Sequence, residues 1–238
     1  MPFSWRRANP IGAMILLTRH AELTGLAVVN FLLYFAHHVF SAVFVLYAGL
    51  RYDWGPWQVG MLLALVGGLD MIVQGVLVGP VSKRFGDRAT MVFGLCGGTV
   101  GIALMGWAPT GVAFIIAMLP NALWGLAMPT LQSLMTRRVS ESEQGQLQGA
   151  NMSVASIAGV ASPLFFGWVY SVSVGEGFGP MTAWLRGLGI DAKLASAAVD
   201  AISTPGLAFY LAAVALALAA LIGWITARRA ERDEVTVV

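Results

Sequence analysis

Between Ala89 and Thr136 the chain carries no Asp, Glu, Lys or Arg for 48 residues. As a single helix that run would be ~72 Å long, more than twice the ~30 Å hydrocarbon core of a bilayer. It must fold back on itself, and Pro109-Thr110-Gly111 is the turn available. The preceding run, Trp54 to Ser82, has Asp70 as its only formal charge. Between the two runs lies a short basic stretch, Gly79-Pro80-Val81-Ser82-Lys83-Arg84-Phe85-Gly86-Asp87-Arg88. Only 11% of the chain is charged, where a soluble domain carries about a quarter. These features specify an integral membrane protein.

The uncharged runs predict an all-α membrane protein with six transmembrane helices. Residues 1–21 form a linker segment, 22–228 the six-helix bundle and 229–238 a tail. The spans fall at about 23–48, 57–80, 89–108, 111–135, 146–172 and 205–227. An even count puts both termini on one side. With that side cytoplasmic, eleven of fourteen basic residues face inward: Arg6, Arg7, Arg19, Lys83, Arg84, Arg88, Arg137, Arg138, Arg228, Arg229 and Arg232. Arg51, Arg186 and Lys193 face outward. The positive-inside rule selects this orientation. Arg6, Arg7 and Arg19 are not followed by a short apolar core with a cleavage pattern, so the first apolar segment is expected to remain as a helix. In the outer segment, Asp191 is a candidate cap for an interfacial helix bearing Leu194, Ala195, Ala198, Val199 and Ile202.

Polar side chains are unevenly distributed. The first span carries Asn30, Tyr34, His37, His38 and Ser41; the second, Asp70 and Gln74; the fourth, Asn121, Trp124 and Gln132; the fifth, Asn151, Ser153, Ser156 and Ser162. Lipid offers no hydrogen bonds, so these groups are expected to face protein or a wet cavity. The third and sixth spans are expected to be peripheral. Gly97-x-x-x-Gly101 in the third supplies a small-residue packing surface. Cys96, the only cysteine, reads as a small packing residue.

Asp70 is the foremost candidate for chemistry. An ionised carboxylate at mid-span costs about 3 kcal/mol, which makes this residue a candidate proton carrier. Gln74 lies one helical turn on and shares its face. His37 and His38 point about 100° apart, too far to grip one metal together. One of them is expected to face Asp70 and share a proton, the other to pack as a neutral side chain. Asn30, Tyr34, Gln74, Asn121, Trp124 and Asn151 are candidate contacts to an amphipathic ligand in an apolar cavity. No nucleophile–base pair, phosphate loop or metal spacing appears, so an enzyme is not expected. No metal or other cofactor is expected. The basic residues form no single patch suited to nucleic acid.

Several segments carry a family resemblance. Gly79-x-x-x-x-Arg84-x-Gly86-x-Arg88 resembles the signature loop of the major facilitator superfamily of secondary transporters. Trp5-Arg6-Arg7-Ala8-Asn9-Pro10, Pro129-Thr130-Leu131-Gln132-Ser133-Leu134-Met135 and Gln144-Gly145-Gln146-Leu147-Gln148-Gly149 resemble the tetracycline-type branch of drug/proton antiporters. Gly159-x-x-x-Pro163-x-x-x-Gly167 is similar to the antiporter Gly/Pro motif. The resemblance implies one half, the C-terminal six-helix bundle, of a twelve-helix fold whose substrate site lies between halves. It implies proton-coupled efflux of a small amphipathic compound by alternating access in the bacterial inner membrane. Asp70, His37 and His38 would serve proton coupling, and Gly79, Arg84, Gly86 and Arg88 a gating loop. The implied partners are a small-molecule substrate, protons, lipid, and either an N-terminal six-helix half or a second copy. The alternative is a truncated or half-size protein that transports nothing alone and accompanies a full transporter. Two positions depart from the pattern. Lys83 stands where the superfamily loop usually has an acidic residue, and Asp70 stands where the tetracycline branch has a histidine.

Overall fold

The computed structural model describes residues 16–18, 21–174, 187–189, 191 and 204–236, with side chains for all of these but residue 21 and 227–236. The expected N-terminal segment, the interfacial helix after Asp191 and the last residues of the tail lie outside the described residues or side chains. No strand occurs among the described residues. Five helices are long and apolar enough to cross a membrane: α1, Glu22–Tyr52; α2, Pro56–Trp107; α3, Gly111–Thr136; α4, Gln144–Val174; and α5, which crosses over Leu207–Thr226 and continues as helix to Thr236.

α2 contains the expected basic turn, narrowed to one residue: helical backbone flanks Gly86 on both sides, and Gly86 alone leaves helical angles, at φ 80° and ψ 157°. No L-residue with a side chain enters that conformation readily, so glycine lets the chain reverse in one residue. Two observations prove the reversal. The Val73 side chain and Gly94 both abut the Leu123–Ala127 stretch of α3, although they lie on opposite sides of Gly86. Both ends of α2 also meet at one end of the bundle: Arg51 Nε and the Tyr52 hydroxyl donate to the Ala108 carbonyl at 2.9 and 2.8 Å. α2 is therefore two antiparallel arms, 56–85 and 87–107.

The second arm packs closely on α3 and α5 with one face and leaves the other exposed, in keeping with its expected peripheral place. Gly94, Gly97, Gly98 and Gly101 let the backbones of α2 and α3 approach closely. A Cβ at Gly101 would sit 2.5 Å from the Asn121 Cα, and one at Gly97 would sit 2.9 Å from the Pro120 carbonyl. Gly98 also receives Leu216 of α5, and Gly106 lies against Gly206. Small residues drive helix packing in membranes as well as polar ones do, and the lack of polar groups suits the rest of the arm to lipid. Only its opposite side, with Phe93, Val100, Leu104 and Trp107, is exposed. The first arm is the reverse case: 11% of its apolar window is buried.

At the Trp54 end, aromatic rings close the bundle. Phe114 stacks on Phe44 at 5.8 Å and meets Tyr47, Tyr52, Trp54 and Phe209 at 5.7–6.1 Å. The buried Tyr47 hydroxyl donates to the Met105 carbonyl at 3.1 Å, so its polar end is satisfied inside the bundle.

Candidate functional site

Three helices depart from α geometry within the bundle. α1 is π-helical over Phe40–Phe44, just after His37. α2 is π-helical over Val73–Leu77, around Gln74. α3 tightens to 3-10 over Leu123–Leu126, around Trp124. Prolines adjoin two of these. Pro80, which lacks the N–H that would bond one turn back, follows the widened turn of α2. Pro120 precedes the tightened turn of α3. Each departure rotates the side chains that follow it, and the three enclose a common space.

That space is a cavity of about 350 Å³ between α1, the first arm of α2 and α3. It brings together Tyr34 and His37, then Asp70 and Gln74, then Asn121 and Trp124. Leu33, Phe40, Phe44, Leu62, Val66, Met118 and Met128 make its remaining wall largely apolar. His37 meets Trp124 edge to face, with ring centroids 5.5 Å apart. Asn121 is buried, and its Oδ1 has no hydrogen-bond partner among the described residues. Asp70 and His37 are the ionisable groups of the wall besides the Tyr34 phenol, and no Lys or Arg contributes to it.

Asn30, His38 and Asn151 do not line this cavity. His38 turns to the other side of α1, against Gly159 of α4; a Cβ there would lie 3.3 Å from its Nε2. Ser41 lies 3.5 Å from the His38 Nδ1. The two histidines thus part onto different faces, His37 to the cavity and His38 to α4. Asn30 and Asn151 are buried where α1, α3 and α4 meet. Asn30 Nδ2 donates to the Asn151 carbonyl at 3.5 Å, and Asn151 Nδ2 to Gln132 Oε1 at 3.4 Å. Gln148 Nε2 donates to the same oxygen at 3.3 Å.

Of the residues assigned to the loop, Gly79 lies in helix with open space around it, and Gly86 makes the reversal. Arg84 is exposed and lies over the Phe85 ring at 5.5 Å. Arg88 turns to α5, where its guanidinium stacks on Trp224. Sequence reasoning passed over Asp87. Its carboxylate accepts from Ser82, from Ser133 at 2.6 Å and from Arg137 at 2.9 Å. The available signal was a lone acid in a basic stretch, 46 residues from a Ser and 50 from an Arg at the far end of the next span.

Comparison with known proteins adds an independent line. A family model described as the Major Facilitator Superfamily matches residues 26–237. The chain is similar to the class C tetracycline resistance protein of Escherichia coli, 28% identical over 186 residues covering 78% of this chain and 46% of that one. It is 33% identical over 168 residues to the class G tetracycline resistance protein of Vibrio anguillarum, covering 69% of this chain and 43% of that one. It is 20% identical over 171 residues to the hippocampus abundant transcript 1 protein of Mus musculus, covering 72% and 35%. The chain spans less than half the length of each of these relatives. No solved structure matches it.

Proposed function

Since this chain belongs to the major facilitator superfamily, we propose that it is the C-terminal six-helix half of a proton-coupled exporter of small amphipathic compounds. Counting the arms of α2 separately gives six crossings. The cavity carries the reading: Asp70 sits with His37, Trp124 and a largely apolar wall in one space at membrane depth. Such a wall suits a ligand with an apolar body and a few polar groups. A carboxylate there is costly when ionised and unpaired, so proton binding at Asp70 and substrate binding in the same cavity are energetically linked. A proton entering at Asp70 favours one orientation of the transporter, and substrate favours the other. Tetracycline-type compounds are the substrate class suggested by the names of the relatives.

The charge distribution supports a membrane orientation. Lys83, Arg84, Arg88, Arg137 and Arg138 gather around the Gly86 end, while Arg51 lies at the opposite end beside Ala108. The Gly86 end is the cytoplasmic one by the positive-inside rule, in a bacterial inner membrane.

Replacing Asp70→Asn tests the reading. In proteoliposomes holding the chain with a matching N-terminal half, an imposed pH gradient drives substrate movement by the native protein, and the variant loses this while still inserting. Undiminished gradient-driven movement in Asp70→Asn would refute the proton role.

A second reading is that the chain transports nothing alone and accompanies a full transporter. The observation favouring it is the exposed first arm of α2, where Gly60, Gly67, Gly68 and Gly75 face open space. Substrate movement by the chain reconstituted by itself would exclude it.

A further inference from the structure

The cavity between α1, the first arm of α2 and α3 is electrically one-sided. Asp70 is the only carboxylate of its wall, and neither Lys nor Arg reaches that wall. Among the described residues no hydrogen bond or ion pair engages the Asp70 carboxylate. His37 shares the wall without pairing to it. Lys83 and the Pro56 end of the arm each lie ~20 Å from Asp70 along the helix. Arg51 is turned to the Ala108 carbonyl at the far end of the bundle. Around the carboxylate the wall is mostly carbon. The rings of Tyr34, Phe40, Phe44 and Trp124 contribute to it, and Trp124 is held by its edge-to-face contact with His37. Indole is the side-chain ring most attractive to a cation.

We propose that the cavity selects an organic monocation: an apolar body bearing one positive charge, seated against Asp70 and the aromatic rings of the wall. The proposal rests on the reading of this cavity as the substrate site and names the class of compound it takes. Charge decides between ligand classes. An anion would face the carboxylate with no basic group in the wall to offset the repulsion. A neutral ligand leaves the ionised carboxylate as costly in its apolar surroundings as before. A cation removes that cost and adds the attraction of the ring faces. Inorganic ions suit the wall less well. Ca²⁺ takes about six to eight oxygen ligands and Mg²⁺ a near-octahedral set, whereas no group of three His, Cys, Asp or Glu that could hold a metal occurs among the described residues. A bulky organic ion spreads its charge over a larger radius, so it leaves water at a smaller cost than a compact one. Its carbon body also covers the apolar wall, and the cavity volume of about 350 Å³ is that of a site for a drug-sized ligand.

The test compares two probes that share three phenyl rings on phosphorus and differ in charge: methyltriphenylphosphonium, a cation, and triphenylphosphine oxide, which is neutral. Equilibrium dialysis measures their binding to the chain, held with a matching N-terminal half in nanodiscs of zwitterionic lipid, and empty nanodiscs give the lipid background. The native protein binds the cation about tenfold more tightly than the neutral compound. Asp70→Asn abolishes that preference by weakening the cation alone, and Asp70→Glu keeps it. Trp124→Leu, which retains apolar bulk and removes the ring face, weakens the cation more than the neutral compound. Equal binding of the two probes by the native protein, or binding of neither, overturns the proposal, as does a preference that survives in Asp70→Asn. If Asp70→Asn fails to accumulate in the membrane, the native comparison and Trp124→Leu still decide. Gradient-driven transport without a charge preference sinks only the cation selection. A charge preference in a native protein that moves no substrate supports the selection and counts only against the transport reading.

Discussion

The guanidinium of Arg88 lies 4.2 Å from the centre of the Trp224 ring and donates to the Trp224 carbonyl at 3.2 Å, joining residues 136 positions apart. The contact fastens the start of the second arm of α2 to the end of α5. Replacing Arg88→Ala removes both the cation–π contact and the hydrogen bond and is expected to cost about 1–2 kcal/mol. Arg88→Lys retains the charge but not the planar stack, and recovers only part of it. Thermal unfolding of the purified protein in detergent, followed by Trp fluorescence, checks both; equal stability of all three forms would contradict the clamp.

Gly101 and Gly167 form a matched pair for the packing argument. A Cβ at Gly101 would be 2.5 Å from three backbone and side-chain atoms of Asn121, whereas one at Gly167 meets nothing within 4 Å. Gly101→Ala is therefore expected to destabilise the bundle by about 1–3 kcal/mol through overpacking. Gly167→Ala, at a half-buried helical site with room for a methyl group, should stay within about 0.5 kcal/mol of the native protein. Parallel melting curves decide the comparison.

Trp124 forms one wall of the cavity and meets His37 edge to face. Trp124→Ala deletes an aromatic contact of about 0.5–1.5 kcal/mol and opens the apolar wall. Equilibrium binding of an amphipathic ligand to nanodisc-embedded protein should weaken severalfold. His38→Ala, on the α4 side of α1, should leave that affinity unchanged. Equal losses from both variants would mean that the cavity is not the ligand site.

Ser162 donates to the Phe35 carbonyl at 2.6 Å and ties α4 to α1 beside the rings of Phe165 and Phe166. Ser162→Ala leaves one backbone carbonyl with a single partner and should cost about 1 kcal/mol. Glu22 and Arg138, paired at 2.7 Å and partly exposed to solvent, should contribute less, and their contribution should fall as salt is raised. Measuring both variants at low and high salt separates the two kinds of tie: only the Glu22→Gln loss should shrink.

The legible part of the site was chemical. Asp70, Gln74, His37, Tyr34, Asn121 and Trp124 were identifiable because polar groups are costly in lipid wherever the helix points. Their company was not legible. His37 and His38 are adjacent and alike in the sequence, and the turn of α1 sends one to the cavity and the other to Gly159. Asn30 and Asn151 share the composition of ligand contacts yet bond within the α1–α3–α4 junction. The two π-helical turns leave no mark in hydropathy either; only Pro80 lies close to one of them.

The membrane character of the chain, its apolar segments and the grouping of its basic residues followed from the sequence alone, because the cost of charge in hydrocarbon and the thickness of the bilayer act on each segment independently of its neighbours. The single-residue reversal at Gly86, the close packing of the second arm of α2 on α3 and α5, and the fastening of Asp87 to Ser133 and Arg137 were decided by tertiary structure. Those depend on which helix faces meet, and close approach between distant segments is a property of the pair rather than of either sequence.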